Sequence, residues 1–94
     1  MGFLVTRWEA SYEEHRISVT RHELGRGFNL EWDGEELARR AWSWVGLGEL
    51  HGTAHVGERA IDVKVSIEWA GFKEMDGKCI ITVDGKEIPV NHIR

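Results

Sequence analysis

Apolar and polar side chains alternate strictly over residues 60–69 of the chain. The apolar residues of this stretch occupy every second position, at Ile61, Val63, Val65, Ile67 and Trp69. Successive side chains of an extended strand point to opposite faces, so this pattern gives a strand one apolar and one polar face. In a helix the same residues would be spread around the axis without forming a stripe. We therefore predict a strand that turns its apolar face to a core.

Seven other segments show weaker forms of the same pattern. They cover residues 3–10, 15–22, 28–32, 37–45, 49–56, 78–83 and 86–92. Asp-Gly pairs stand at 33–34, 76–77 and 84–85, and they suit two-residue hairpins because both central positions of a type I′ turn require positive φ. Good helix formers leave a helix over residues 35–44 as the alternative to the strand over 37–45. We prefer the strand, because the segment follows an Asp-Gly turn and carries two tryptophans two residues apart.

Strands that recur about every ten residues and are joined by hairpin turns predict an all-β fold. We expect a single antiparallel β-sandwich or small barrel of about eight strands, joined by Asp-Gly hairpins, in one domain over residues 1–94. Pro89 lies in the last predicted strand. Because proline cannot donate a hydrogen bond to a neighbouring strand, this position is expected at a sheet edge.

The charge and the cysteine content narrow the range of partners. The net charge of -4 comes from 16 acidic and 12 basic residues scattered along the chain, whereas nucleic-acid-binding domains usually carry a basic excess, so we expect no nucleic-acid partner. The apolar runs are far shorter than the ~20 residues that span a bilayer, and we expect no membrane partner. A single cysteine and no signal peptide predict a cytoplasmic location. Met1, Gly2 and Thr6 match the loose N-myristoylation template, but we interpret this stretch as the start of a strand.

Candidate catalytic and metal-binding residues lack the context that their chemistry requires. His51 and His55 have the spacing of two zinc ligands on a helix. On a strand they would lie about 13 Å apart, too far to share one ion without other ligands. Cys79 stands beside two isoleucines and is interpreted as a buried packing residue, and an enzyme that uses its thiol with a histidine is the alternative. We expect no enzymatic activity, no cofactor and no metal site.

Five tryptophans in 94 residues are the most unusual feature of the composition. Trp32 and Trp69 share parity with apolar neighbours and are predicted to lie in the core. Arg40, Trp42 and Trp44 share one face of their predicted strand. If that face points inward, the two indoles belong to the core, which we favour. If it is exposed, the three residues form a recognition patch, and they are our candidate binding residues.

Several sequence motifs, taken in order, resemble a known family. The chain is similar to a single repeat of the Fas apoptosis inhibitory molecule (FAIM) family, whose members have two successive β-sandwich-like repeats. The matching features are Trp8 followed by His15-Arg16-Ile17-Ser18-Val19, then Glu31-Trp32-Asp33-Gly34-Glu35-Glu36, Trp42-Ser43-Trp44-Val45-Gly46, Gly57-Glu58-Arg59-Ala60-Ile61, and the closing Ile80-Ile81-Thr82-Val83-Asp84-Gly85-Lys86-Glu87-Ile88-Pro89. The resemblance covers nearly the whole chain.

The resemblance implies a FAIM-like β domain that is a non-catalytic interaction protein with a regulatory or aggregation-protective role, no cofactor and no catalytic residues. This chain has room for one repeat where the family has two. The surface that a second repeat would cover must therefore be polar or be buried by self-association, which makes a homodimer one of the expected states.

Two functions remain as hypotheses. The first is protein or peptide binding, through an exposed strand edge or through the face that carries Trp42 and Trp44. The alternative is a small-molecule carrier with an aromatic-lined cavity between the sheets. Such a cavity would touch at least two of the residues Trp8, Trp32, Trp42, Trp44 and Trp69.

Overall fold

The computed structural model describes residues 5–22, 27–40, 48–68 and 78–93. These residues form two antiparallel sheets that pack face to face as a β-sandwich, which confirms the predicted fold class. The strands are β1 Val5–Tyr12, β2 His15–His22, β3 Phe28–Trp32, β4 Glu35–Arg40, β5 Gly48–Val56, β6 Arg59–Glu68, β7 Lys78–Val83, β8 Lys86–Ile88 and β9 Asn91–Ile93.

Each sheet is built mainly from strands that follow one another along the chain. One sheet has the order β4-β3-β2-β1-β9 and the other has the order β5-β6-β7-β8. Only β9 leaves this pattern, because it crosses from the second sheet and pairs antiparallel with β1, with Arg7 opposite Ile93. Strands joined by short hairpins pair locally, so the sequence order largely sets the order within each sheet.

The core lies between the sheets and is formed by the inward positions of the strands. In β6 the buried residues from Ile61 to Ile67 alternate with the exposed residues Asp62 and Lys64 and the half-buried Ser66, as the period of two predicts. The strand is observed over Arg59–Glu68, and Trp69 lies outside the described residues. The buried hydrophobic residues are Trp8, Ala10, Ile17, Val19, Phe28, Leu30, Trp32, Leu50, Ala54, Ile61, Val63, Val65, Ile67, Cys79, Ile81 and Val83.

Two of the predicted Asp-Gly pairs form hairpin turns with positive φ at both residues. The φ angles are 50° and 86° at Asp33 and Gly34, and 50° and 82° at Asp84 and Gly85. These values fit the type I′ turn, whose twist matches that of the flanking strands. The third pair, at residues 76–77, lies outside the described residues.

Each of these aspartates also links its turn by hydrogen bonds to the strand that precedes the hairpin. Asp33 in the β3–β4 turn bonds to β2, and Asp84 in the β7–β8 turn bonds to β6. The backbone N–H of Arg16 on β2 donates to Oδ1 of Asp33 (2.8 Å), and the N–H of Asp33 donates to the carbonyl of Arg16 (2.8 Å). In the other sheet the N–H of Asp62 on β6 donates to Oδ1 of Asp84 (2.9 Å), and the N–H of Asp84 donates to the carbonyl of Asp62 (2.8 Å). In each sheet, therefore, an aspartate in a hairpin turn exchanges two hydrogen bonds with a residue of a neighbouring strand, an arrangement that we call the aspartate latch.

The prediction of one strand over residues 86–92 is wrong. The structure has two strands there, β8 and β9, separated by Pro89 and Val90, and the described residues hold nine strands in all. Proline removes the N–H that would continue the ladder, and the chain crosses to the other sheet at this point. The segment predicted as a strand over 37–45 is extended from Glu35 to Arg40, not helical, and residues 41–45 lie outside the described part of the chain.

Candidate binding edge

The two sheets have four edge strands among the described residues: β4 and β9 in one sheet, and β5 and β8 in the other. An edge strand offers unpaired N–H and C=O groups to any extended segment that approaches it. How readily another segment pairs with an edge depends on the length and regularity of the edge strand.

Three of the edges carry features that discourage pairing with another chain. Strands β8 and β9 have three residues each, and Pro89 lies between them. Strand β4 has a register shift opposite Leu30 and Glu31, which is typical of a β-bulge, and four of its six residues are charged. Short strands, proline, bulges and edge charges are the usual means by which sheets avoid edge-to-edge association.

The edge of β5 is neither short nor bulged, and Glu49 is its one acidic residue. Its nine residues, Gly48–Val56, pair with β6 in an unbroken register from Gly48 opposite Ile67 to Val56 opposite Arg59. The strand contains no proline and no lysine. Within the described residues, β5 has a hydrogen-bonded neighbour on one side only. Among the described strands, it is the long and regular edge without a second neighbour.

The latch at Asp84 identifies which backbone groups face the open edge. Both the N–H and the carbonyl of Asp62 bond to Asp84, so they point away from β5. Thr53 is opposite Asp62 in the register, and the pair is therefore not hydrogen-bonded. The N–H and carbonyl of Thr53 must point away from β6. Alternation along the strand gives the same direction to the backbone groups of Glu49, His51 and His55.

The side chains of these four residues are exposed on the outer face of the sheet. His51 and His55 share that face, as the extended geometry predicts, and Nε2 of His51 stands 3.7 Å from Oδ1 of Asp62. The ammonium of Lys64 stands 3.0 Å from Oε1 of Glu49. An open groove of about 430 Å³ runs beside these pairs and is lined by Glu49, Leu50, His51, Asp62, Lys64, Thr82 and Gly85.

The binding residues predicted from the sequence are not brought together within the described residues. Arg40 ends β4 and is opposite Phe28 in the register. Trp42 and Trp44 lie outside the described residues, so their place in core or surface stays a prediction. Trp8 and Trp32 are buried in the core, as is expected of large apolar side chains, and the groove beside β5 contains no tryptophan. The aromatic-lined cavity of the carrier hypothesis also stays a prediction.

The only cysteine lies on the inner side of β7. Cys79 is buried, and this burial raises the pKa of its thiol to about 12. A thiol with such a pKa is protonated at neutral pH and is a poor nucleophile. The packing role that the sequence indicates for Cys79 therefore agrees with its surroundings.

A second polar cluster, which the sequence reasoning missed, lies at the hairpin end of the five-stranded sheet. Nδ1 of His15 stands 2.7 Å from Oδ2 of Asp33, and the imidazole stacks on Trp32 with ring centroids 4.8 Å apart. The hydrogen bond from the Arg16 N–H and the contact with His15 lower the pKa of Asp33. Arg59 joins the cluster to the other sheet through an ion pair with Glu13 at 3.1 Å. These contacts hold the β1–β2 and β3–β4 turns in place.

In the four described ranges, no set of three or more histidine, cysteine, aspartate or glutamate residues is placed to hold a metal ion. The same ranges contain no helix that is long and apolar enough to cross a membrane. No family model, curated protein or solved structure matches this chain.

Proposed function

We propose that this chain is a non-catalytic, FAIM-like domain that binds an extended segment of a protein partner by adding it as a strand beside β5. The observation that carries the proposal is the contrast between β5 and the other three edges. Strand β5 is nine residues long and has no bulge, and it is hydrogen-bonded to one described strand, β6. The order of the sequence motifs supports the FAIM-like part of the proposal.

Strand addition uses backbone groups, so it needs no special side-chain motif in this chain. Glu49, His51, Thr53 and His55 each offer one donor and one acceptor to an incoming strand. The net contribution of such bonds is about 0.5–1.5 kcal/mol each, and part of it is offset by the ordering of the segment. We expect binding of modest affinity and broad sequence tolerance.

The geometry of β5 also sets the pattern of the segment. Its residues opposite His51 and Thr53 would lie on the outer, solvated face, and the residues between them would point towards the side on which β4 lies. A segment with alternating polar and apolar residues fits this arrangement. An unfolding protein that exposes such a stretch is the expected class of partner.

The test is an amide-shift titration of the labelled protein with the peptide Lys-Thr-Val-Thr-Val-Thr-Val-Thr-Lys, blocked at both ends. We expect the largest shifts at the amides of Glu49, His51, Thr53 and His55, because their N–H groups face the open edge. Largest shifts on β4, β8 or β9, or no shifts at saturating peptide, would contradict the proposal.

A matched pair of variants at one position separates the backbone from the side chain. Thr53→Pro removes an edge-facing N–H that the pairing with β6 does not use, and it should abolish the shifts. Thr53→Ala keeps the backbone and should bind as the natural protein does. The map of shifts on the unsubstituted protein decides the question even if the proline variant does not fold.

A further inference from the structure

The edge of β5 is self-complementary in one register. Gly52 is the middle residue of the strand Gly48–Val56. If two antiparallel copies of β5 are related by a twofold axis at Gly52, all nine residues overlap. Glu49 then faces His55 of the second copy, and His51 faces Thr53. These are the residues whose N–H and C=O groups point to the open edge, so every facing pair is able to exchange two hydrogen bonds.

The side chains favour the same register. On the outer face, the carboxylate of Glu49, which pairs with Lys64 of its own copy, stands opposite the imidazole of His55 twice in the pair of copies. The carboxylate also attracts an imidazole N–H as a hydrogen-bond donor. At the centre, the two copies of Gly52 have no side chains that could oppose the approach of the backbones.

The neighbouring registers are worse. Moving the axis to Thr53 places His51 opposite His55 of the second copy, and moving it to His51 places that imidazole opposite its own copy. Both registers shorten the overlap and bring imidazoles together without a carboxylate. If the pairing shifts by one residue, each edge-facing residue of one copy stands opposite a residue of the other copy whose N–H and C=O groups bond to β6. The two copies then cannot exchange hydrogen bonds, so this register is excluded.

We infer that two copies of this chain associate through antiparallel pairing of β5 with β5, centred on Gly52, to form one continuous eight-stranded sheet. A twofold contact of this kind is closed and does not propagate. The outer edges of the combined sheet are then the two short β8 strands, each followed by Pro89, which resist further addition. The contact uses the edge on which the proposed function also rests, so a partner strand and the second copy compete for it.

Sedimentation equilibrium of the full chain tests the inference. We expect a concentration-dependent rise to twice the monomer mass. His55→Glu places two carboxylates opposite each other at both ends of the pair, and it should weaken association by about tenfold. The double variant Glu49→Lys with His55→Glu restores opposite charges and should restore the dimer. A protein that stays monomeric at millimolar concentration, or a double variant as weak as His55→Glu, overturns the inference.

Thr20→Glu is the matched control, because it adds the same charge on the outer face of the other sheet, between Arg7 and Asn29. It should dimerise as the natural protein does, and weakening equal to that of His55→Glu would contradict pairing through β5. Amide spectra confirm that each variant is folded. All the substituted side chains lie on outer faces, where changes are usually tolerated.

Titration of the natural protein with the alternating Lys-Thr-Val peptide, at a protein concentration low enough for the monomer to predominate, separates this inference from the proposed function. The monomer has the free β5 edge and should bind the peptide there. A natural protein that dimerises at higher concentration while its monomer binds no peptide supports the inference and contradicts the proposed function. A natural protein that never dimerises but binds the peptide at β5 contradicts the inference and supports the proposed function.

Discussion

Gly52 on β5 lies directly against Leu37 on β4, so that a Cβ atom at position 52 would stand 2.9 Å from the Cβ of Leu37. The turn glycines Gly34, Gly57 and Gly85, by contrast, have open space where a Cβ would lie. The Cβ of Leu37 is fixed to the backbone and cannot move aside as the tip of a long side chain can. The two sheets meet here because position 52 has no side chain.

We predict that Gly52→Ala destabilises the domain by about 1–3 kcal/mol, because the added methyl group overpacks the contact with Leu37. Without that contact, alanine would be the better residue in a strand. Urea denaturation measures the change. Thr53→Ala, at the neighbouring exposed position, is the control and should alter the free energy of unfolding by less than about 0.5 kcal/mol. An unchanged midpoint for Gly52→Ala would show that the sheets are further apart than described.

The latch at Asp33 should make stability depend on pH. The carboxylate accepts a hydrogen bond from the N–H of Arg16 and contacts His15, so the pKa of Asp33 in the folded state is below its ordinary value of 3.8. The charged form is thus favoured by folding. Its contribution is complete above the pKa of the unfolded chain, and it is lost as the pH falls through the lower pKa of the folded state.

We therefore expect the urea midpoint of Asp33→Asn to fall less than that of the natural protein between about pH 5 and about pH 3. Asparagine keeps an acceptor for the N–H of Arg16 and also tolerates positive φ, so the variant should fold. Glu87→Gln, which removes an exposed carboxylate on β8, is the control for a general effect of charge. Equal pH dependence in Asp33→Asn and the natural protein would contradict the role of the latch.

Cys79 should react slowly while the domain is folded. Because burial raises the pKa of its thiol to about 12, almost no thiolate is present at neutral pH. Labelling by a disulfide reagent should be more than about a hundredfold slower in buffer than in denaturing urea. Thr53→Cys adds an exposed thiol and should introduce one fast phase. Rapid labelling of Cys79 in the folded protein would revive the hypothesis of a cysteine enzyme.

The β1–β2 turn stores conformational strain. Glu13 and Glu14 have φ angles of 45° and 70°, a region that costs residues with a side chain roughly 1–2 kcal/mol each. Glu14→Gly should therefore stabilise the domain by about 0.5–1 kcal/mol, after allowance for the extra freedom of glycine in the unfolded chain. Glu13 is left in place because it pairs with Arg59.

Glu58 provides the control for this prediction. It occupies the second position of the β5–β6 turn and does not have positive φ, whereas the first position, Gly57, does (φ 63°). Glu58→Gly should bring no gain in the thermal midpoint, since it relieves no strain. Equal effects of the two glycine substitutions would rule out backbone strain as the cause.

Local patterns predicted most of the strands. The bounds of β2, β3 and β7 agree with the prediction, and β3 shows why: Gly27 precedes it and the Asp33-Gly34 turn follows it. The turn at Glu13 and Glu14 carries no glycine or asparagine, so its positive φ angles had no sequence signal.

The candidate site could not be predicted to the same extent. Which strand has an open edge depends on sheet order, and that order includes the pairing of β1 with β9, which are far apart in the sequence. The latch between Asp33 and Arg16 likewise depends on the register of β2 against β3, which places Ile17 opposite Trp32. The direction of the backbone groups of β5 followed only from the equivalent latch at Asp84.

The pairing of β1 with β9 has a consequence for synthesis on the ribosome. β1 emerges before the other described strands and β9 emerges after them, yet Trp8 on β1 is opposite His92 on β9 and stacks on it, with ring centroids 5.6 Å apart. Strand β1 can pair with β2 soon after both leave the exit tunnel, but its other side has no partner until β9 has emerged. A nascent chain thus exposes a second unpaired strand edge until residues 91–93 have left the tunnel.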